Sequence, residues 1–135
     1  LVRVFDEHTL AVQLADGDVT RTVVYERDGA VRGFANYTVL DMVGPRGRFH
    51  WAWLDFLQWD DLAAREKKAL LAGVWEAARE HDCVGILEWN KNYYSKLPLL
   101  RNRFIPYPRG LELDAWMFNP DLSLAGTTRV FEQQI

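Results

Sequence analysis

The sequence is short of several features that would place it in a specialised class of protein. Its 135 residues contain one cysteine, Cys83, so neither a disulfide framework nor a cysteine metal cluster can form within the chain. No apolar run approaches the roughly 20 residues of a membrane-spanning helix, and residues 1–5 show no signal-peptide pattern. We therefore expect a reducing environment, with the cytoplasm as the default compartment.

The chain also lacks a large excess of charge of one sign. The formal net charge is -3 and the basic residues are scattered, whereas nucleic-acid binding needs a basic stripe. Apolar residues make up 49% of the chain and charged residues 26%, as in a soluble globular domain. We expect neither a nucleic-acid nor a membrane partner. Because the chain begins with Leu1 rather than Met, we expect it to be part of a longer protein.

The strongest pattern lies between residues 50 and 90. Residues 50–59 (HWAWLDFLQW) predict a strand that is covered on both faces. Asp60 and Asp61 predict the cap of a helix from Leu62 to about His81, and the apolar run Cys83–Leu87 predicts a second strand. This unit should form a right-handed βαβ crossover. Strict alternation would place five side chains on one face of the first strand: Trp51, Trp53, Asp55, Leu57 and Trp59.

The same helix carries an apolar stripe at helical spacing. Glu66 lies off that stripe, so we expect its side chain in water. The side chains expected to face the core are Leu70, Leu71, Val74, Trp75 and Ala78.

The residues before this unit predict a short helix and a hairpin. The helix spans about 5–16 with Asp6 as its cap, and strands follow at 20–25 and 30–40. Asp28-Gly29 fits a primed turn between these strands, and Gly33 indicates a bulge or a close backbone approach. Residues 41–48, with two glycines and a proline, predict a loop.

The residues after the crossover give weaker signals. Tyr93, Tyr94, Leu97 and Leu100 have the spacing of a short helix, which Pro98 either interrupts or begins anew. Residues 111–118 alternate as a last strand. Residues 119–135 predict a loop-like tail, and a docked strand or helix at 129–135 stays open as an alternative. The predicted fold class is α/β, with a mixed, mostly antiparallel sheet, a central βαβ crossover and helices on both faces.

Three segments together resemble the GNAT superfamily of acyl-coenzyme A dependent N-acetyltransferases. They are ERDGAVRGF at 26–34, the strand WLDFLQW with the helix KALLAGVWEAAREHDC, and VGILEWN followed by RNRF. The resemblance covers about residues 6–118, which we expect to form one domain without the family's first strand and helix. It implies transfer of an acetyl or other acyl group from acyl-CoA to a small-molecule or peptide amine.

The resemblance also implies where the cofactor lies. In the family the pantetheine arm pairs with the strand like 51–59 where it parts from the next strand, and the pyrophosphate sits on the following helix start, which favours anions. Carried over to this chain, the expected cofactor-binding residues are Leu57, Trp59, Arg65, Lys67, Lys68, Asn90 and Asn92.

The chain departs from the family at that helix start. The family's glycine loop is replaced by AAREK at 63–67, and its usual tyrosine would fall near Leu100. Two hypotheses therefore stay open: an N-acyltransferase, and a catalytically silent GNAT-like domain used for ligand binding or protein interaction. A homodimer through an exposed edge strand, or an additional N-terminal domain, is compatible with either.

Four side chains are candidates for proton transfer. Asp55 and Glu88 lie on neighbouring strands, where a desolvated carboxylate can act as a base toward an amine, or can serve only in ion pairs. Tyr93 and Tyr94 are candidate acids for a departing thiolate, although packing is the commoner role of tyrosine. The three histidines lie far apart without acidic or cysteine companions, so we expect no metal site.

Overall fold

The computed structural model describes residues 6–15, 19–88, 91 and 93–106. In chain order the elements are α1 (Glu7–Ala15), β1 (Thr20–Arg27), β2 (Ala30–Gly44), β3 (Gly47–Gln58), α2 (Ala64–Glu80), β4 (Cys83–Glu88) and α3 (Leu97–Arg101). This order confirms the predicted helix, hairpin, strand, helix and strand. The strand predicted at 111–118 and the tail lie outside the described residues.

The four strands form one sheet in the order β1-β2-β3-β4. β1 with β2 and β2 with β3 are antiparallel, whereas β3 with β4 is parallel. Because parallel neighbours need a crossover, α2 connects β3 to β4. The predicted mixed sheet with a central βαβ unit is confirmed.

The two longer helices lie on opposite faces of this sheet. Leu14 of α1 accepts a hydrogen bond from Thr22, which pairs with Asn36 on one face. Val23 comes next along β1 and therefore points to the other face, where a Cβ on Gly73 of α2 would lie 3.1 Å from its methyl carbon. We call these the α1 face and the α2 face. The predicted helices on both faces are confirmed.

Tight turns connect the first three strands. Asp28 and Gly29 both have positive φ, 55° and 72°, as the predicted primed turn requires. A Cβ on Gly33 would lie 2.8 Å from the carbonyl oxygen of Gln58, so the predicted close approach is confirmed. The loop predicted at 41–48 is wrong, because β2 and β3 pair up to Gly44 and Gly47 and leave a two-residue turn.

Three expectations about α2 are wrong. The helix is capped by Ala63 rather than by Asp60 or Asp61, and the Ala63 amide donates to the Glu66 carboxylate at 2.7 Å. Glu66 is buried rather than in water, because it also accepts from Arg27 at 2.9 Å. Trp75 is 42% exposed, so the apolar stripe that faces the sheet is narrower than predicted: Leu70, Leu71, Val74 and Ala78.

Among the described residues that follow β4, residues 97–101 form a short helix. α3 begins at Leu97 with Pro98 in its first turn, which confirms the alternative in which the proline starts a turn. Tyr93 and Tyr94 lie outside the helix, in a bend. Their side chains are therefore placed by the path of the chain rather than by helical spacing.

Candidate functional site

An extra residue in β3 determines which side chains reach the site. Asn36 pairs with Phe56 and Tyr37 pairs with Leu54, so Asp55 is the unpaired residue of a β-bulge. A bulge shifts the alternation of side chains that follow it. Leu57 therefore pairs with Ala35 on the α2 face, and the prediction that Leu57 shares a face with Trp51, Trp53 and Asp55 is wrong.

The bulge turns the Asp55 carboxylate toward the α1 face. Thr38 donates a hydrogen bond to it at 2.5 Å, and the residue is only 8% exposed. Burial raises the pKa of Asp55, while the Thr38 hydroxyl and then the Lys91 ammonium act in the opposite direction. A carboxylate with a raised pKa holds a proton more readily, as a general base at neutral pH must.

Glu88 lies at the end of β4, opposite Leu54 in the parallel pairing. Its side chain is 8% exposed and accepts hydrogen bonds from the Tyr94 hydroxyl and, at 3.0 Å, from the Lys96 ammonium. Burial raises the pKa of Tyr94 strongly, and the Glu88 carboxylate raises it further. The Tyr94 proton is therefore held firmly on the phenol.

Tyr93 lies near enough to both carboxylates for their charges to act on its hydroxyl. Burial raises its pKa, the Leu57 amide opposes that rise, and the charges of Glu88 and then Asp55 add to it. The rings of Tyr93 and Tyr94 meet edge to face, with centroids 4.8 Å apart. The four predicted catalytic side chains are thus brought together near the end of the β3–β4 pairing.

The side of β3 that faces this cluster exposes three backbone groups, which we call the β3 edge. They are the carbonyls of Leu54 and Asp55 and the amide of Leu57. Lys91 Nζ donates to the carbonyl of Leu54 at 2.5 Å and to that of Asp55, and the Leu57 amide donates to the Tyr93 hydroxyl at 3.3 Å. Side chains thus hydrogen-bond to these three groups.

Aromatic rings connect this cluster to the start of α2. Trp59 is 1% exposed and meets Tyr94 edge to face at 5.7 Å between centroids. The Lys67 ammonium lies 5.6 Å from the centroid of the Trp59 ring. Because the Trp59 ring is almost wholly buried, it packs against Tyr94 from the core side of the site.

A basic cavity opens between α2 and α3. Its volume is about 270 Å³ and Lys67, Lys68 and Arg101 supply its charge, with Ala64, Pro98 and Asn102 completing the lining. Arg65 is exposed and does not line it. Two of the three cations predicted at this helix start therefore share one cavity, and Arg101 is an addition.

Sequence reasoning did not assign three of these side chains to the site. Lys91, Lys96 and Arg101 stand in the basic and aromatic run that follows β4, which was their only signal. Lys91 donates to a carbonyl 37 residues earlier and Lys96 to a carboxylate 8 residues earlier, while Arg101 only shares the cavity with residues of α2. No local pattern therefore identifies them. Asn90 and Asn92, two predicted cofactor ligands, lie outside the described residues.

Two other site types find no support in the part of the chain that the structure describes. No group of three or more histidine, cysteine or acidic residues there is placed to hold a metal ion. None of the helices there is both long and apolar enough to cross a membrane. Cys83 is a free, buried thiol, and burial raises its pKa.

Known structures share this fold at low sequence identity. A ribosomal-protein-alanine N-acetyltransferase from Brucella melitensis is 14% identical with a TM-score of 0.61, covering 84% of this chain and 81% of its own. An aminoglycoside acetyltransferase from an uncultured soil metagenomic sample is 12% identical with a TM-score of 0.62, over 87% and 78%. An aminoglycoside N-acetyltransferase in complex with CoA is 16% identical with a TM-score of 0.59, over 76% and 80%.

These similarities define the class of fold. No protein-family model matches the sequence, and no curated protein matches it either. The chain has the GNAT acetyltransferase fold, in a form whose sequence has diverged widely. The expected resemblance is thereby confirmed at the level of the fold.

The basic cavity is suited by its charge to anionic groups. Lys67, Lys68 and Arg101 present three cations to one space, which suits phosphate groups. Glu66 opposes anion binding at the helix start, because its carboxylate is negative and accepts the hydrogen bond of the Ala63 amide. The fit therefore rests on side-chain charge rather than on backbone amides.

Proposed function

We propose that this chain is an acyl-CoA dependent N-acyltransferase that passes an acyl group to an amine. One observation carries the proposal: Asp55, at a bulge in β3, is buried, the side chain of Glu88, at the end of β4, is 8% exposed, and both lie beside tyrosines at the end of the β3–β4 pairing. Buried carboxylates are costly, and they concentrate at functional sites. The GNAT fold of the chain supports a role of these residues in acyl transfer.

The cofactor would lie along the crossover. Lys67, Lys68 and Arg101 would hold its phosphates, and the β3 edge would receive its amide-bearing arm. Bound acyl-CoA supplies the thioester carbonyl that the amine attacks and the thiolate that leaves. Every other task in the proposal falls to side chains of this chain.

Asp55 is the proposed general base. Its raised pKa suits removal of a proton from an incoming ammonium, directly or through one water. Tyr93 is the proposed proton donor to the thiolate, because the Tyr94 proton is engaged with Glu88. Glu88 then acts as a positioning residue that fixes Tyr94 and Lys96.

Replacing the base tests the reaction. Asp55→Asn should lower kcat by about 10²- to 10⁴-fold, the usual contribution of general-base catalysis, measured as thiol release with a panel of amines. Thr38→Val, which removes the hydrogen bond but keeps the carboxylate, should lower kcat far less. Equal activity of Asp55→Asn and the parent chain would contradict the role of Asp55.

Reversing charge tests the phosphate site. Lys67→Glu with Lys68→Glu should weaken binding of acetyl-CoA, but not of an acetyl-pantetheine without phosphates, in calorimetric titrations. Arg65→Glu, a change on the exposed side of the same helix, is the matched control. Unchanged acetyl-CoA affinity in the double variant would exclude the lysines as phosphate ligands.

A second function has its own support. The glycine loop is absent, Glu66 takes a helix-start amide, and Lys91 fills part of the β3 edge. These features suit a GNAT-like domain that no longer transfers acyl groups and instead binds a ligand or another protein. Absence of acetyl-CoA binding at millimolar concentration would favour this reading.

A further inference from the structure

The β3 edge is hydrogen-bonded to two side chains from one short segment of the same chain. Lys91 supplies donors to the carbonyls of Leu54 and Asp55, and Tyr93 supplies the acceptor for the amide of Leu57. Lys91 is also tied back at its own amide, which donates to Glu88 at 3.5 Å. The pair thus offers β3 the hydrogen bonds that a neighbouring strand would offer.

A ligand with amide groups needs those same partners. Unpaired strand carbonyls and amides are a template for an added chain, whose main-chain hydrogen bonds give affinity. The arm of acyl-CoA carries two amides, so its hydrogen bonds to the β3 edge would compete with those made by Lys91 and Tyr93. A carbonyl oxygen can accept two hydrogen bonds, but an ammonium that contacts both carbonyls occupies the space beside them, and the Leu57 amide has one proton to donate.

We propose that Lys91 and Tyr93 are built-in competitors that occupy the ligand edge of β3 and lower the affinity for acyl-CoA. This inference rests on the proposed function, because it names what regulates access to that same site. To bind both carbonyls fully, the arm of acyl-CoA must displace the Lys91 ammonium from them. A substitution that removes the ammonium contact should therefore raise the affinity for acyl-CoA.

The charge of Lys91 makes the proposal easy to separate from simple electrostatics. Removing a cation near an anionic cofactor should weaken binding, since opposite charges attract. Removing a competitor should strengthen it. The two explanations predict changes of opposite sign for the same substitution.

Calorimetric titration with acetyl-CoA, and separately with acetyl-pantetheine, tests the proposal. Lys91→Met should bind both ligands about tenfold more tightly, which corresponds to ~1.4 kcal/mol. Lys91→Arg keeps donors that reach the carbonyls, so it should stay within about twofold of the parent chain. Arg32→Met, which removes an exposed cation from β2, is the control for charge.

Tyr93→Phe provides a second test that preserves the ring. It frees the Leu57 amide while keeping the packing against Tyr94, and it should tighten binding about threefold, less than Lys91→Met because it releases one neutral hydrogen bond. Thermal unfolding of each variant verifies that it is folded. A gain in both variants with both ligands supports the proposal.

Three other results would overturn it. If Lys91→Met weakens acetyl-CoA binding as Arg32→Met does, charge alone accounts for Lys91. If the parent chain binds and both variants match it, the proposed function stands while the competition is refuted. If neither ligand binds the parent or any variant, the proposed function fails and the competition fails with it.

Discussion

The two faces of the sheet are built on different principles. The α2 face is mostly apolar, with Tyr37 and Leu54 wholly buried, and its buried carboxylate, Glu66, is held by Arg27 at the start of α2. The α1 face carries a ladder of polar groups in which Thr22 and Asn36 donate to carbonyls of α1 and Thr38 donates to Asp55. The comparison teaches that one face holds the strands in place while the other offers groups that can change partner or charge.

Truncating the apolar face should have the largest effect on stability. Leu71→Ala removes a side chain that is 2% exposed, and it should cost about 2–5 kcal/mol in the free energy of unfolding. Trp75→Ala, one turn further on but 42% exposed, should cost about 1 kcal/mol or less. Urea titrations of both variants measure the difference, and a larger loss for Trp75→Ala would contradict the described orientation of α2.

A close contact near the α1 face should give the next largest effect. The ring of Trp51 lies where a Cβ on Gly85 would sit. Gly85→Ala should therefore cost about 1–3 kcal/mol through overpacking. Trp51→Leu should relieve that clash, so the double variant should lose less stability than the two single losses combined, as a double-mutant cycle would measure. Strict additivity would show that the two residues do not touch.

The buried carboxylate of the α1 face should give a smaller effect with a definite dependence on pH. Burial raises the folded-state pKa of Asp55 above its unfolded value, so the chain loses stability as pH rises from the unfolded pKa through the folded pKa. Asp55→Asn removes that loss and should stabilise the chain at neutral pH by on the order of 1 kcal/mol. The gain in stability should vanish at pH values below the unfolded pKa of Asp55. Thermal unfolding of both chains at several pH values measures it, and a gain that persists at acid pH would contradict the prediction.

The Glu66 carboxylate, in the first turn of α2, should show the opposite pH dependence and the smallest effect on stability. The Ala63 amide lowers the pKa of Glu66, and the hydrogen bond and charge of Arg27 lower it further. Its stabilising contribution is present above the unfolded pKa and is lost as pH falls through the folded pKa. Glu66→Gln should therefore destabilise the chain at neutral pH and converge on the parent at acid pH. A constant difference across that range would show that the charge of Glu66 is irrelevant.

Much of the fold follows from local sequence. The Asp28-Gly29 turn, the strand runs and the helical stripe each depend on neighbours within a few residues. The turn lies where the pattern predicts, whereas β2 and β3 extend into the predicted loop and Trp75 lies off the stripe. The sequence predicts a loop between β2 and β3 because Gly44, Pro45 and Gly47 are residue types that favour loops. In the structure Gly44 pairs with Gly47 and Pro45 lies in the two-residue turn between them, because the strand pairing beside the turn extends to these glycines.

The site depends on contacts that sequence spacing does not contain. Asp55 stands in an apolar run, and nothing local distinguishes a bulged aspartate from an alternating one. Glu66 is buried because Arg27, 39 residues earlier, meets it. Lys91 reaches backbone oxygens rather than another side chain, and no residue type at position 54 or 55 marks that contact.

The two connections of β3 differ in chain distance, and this has a consequence for the order of folding. β2 reaches β3 through two residues, whereas α2 and its connections separate β3 from β4 along the chain. Local contacts form with a smaller loss of chain entropy, so the hairpin should be protected from hydrogen exchange before β4 during refolding. Simultaneous protection of β2, β3 and β4 in pulse labelling would contradict this order. Because Glu88 ends β4 and Lys91 follows it, the candidate site would be the last part of the molecule to assemble.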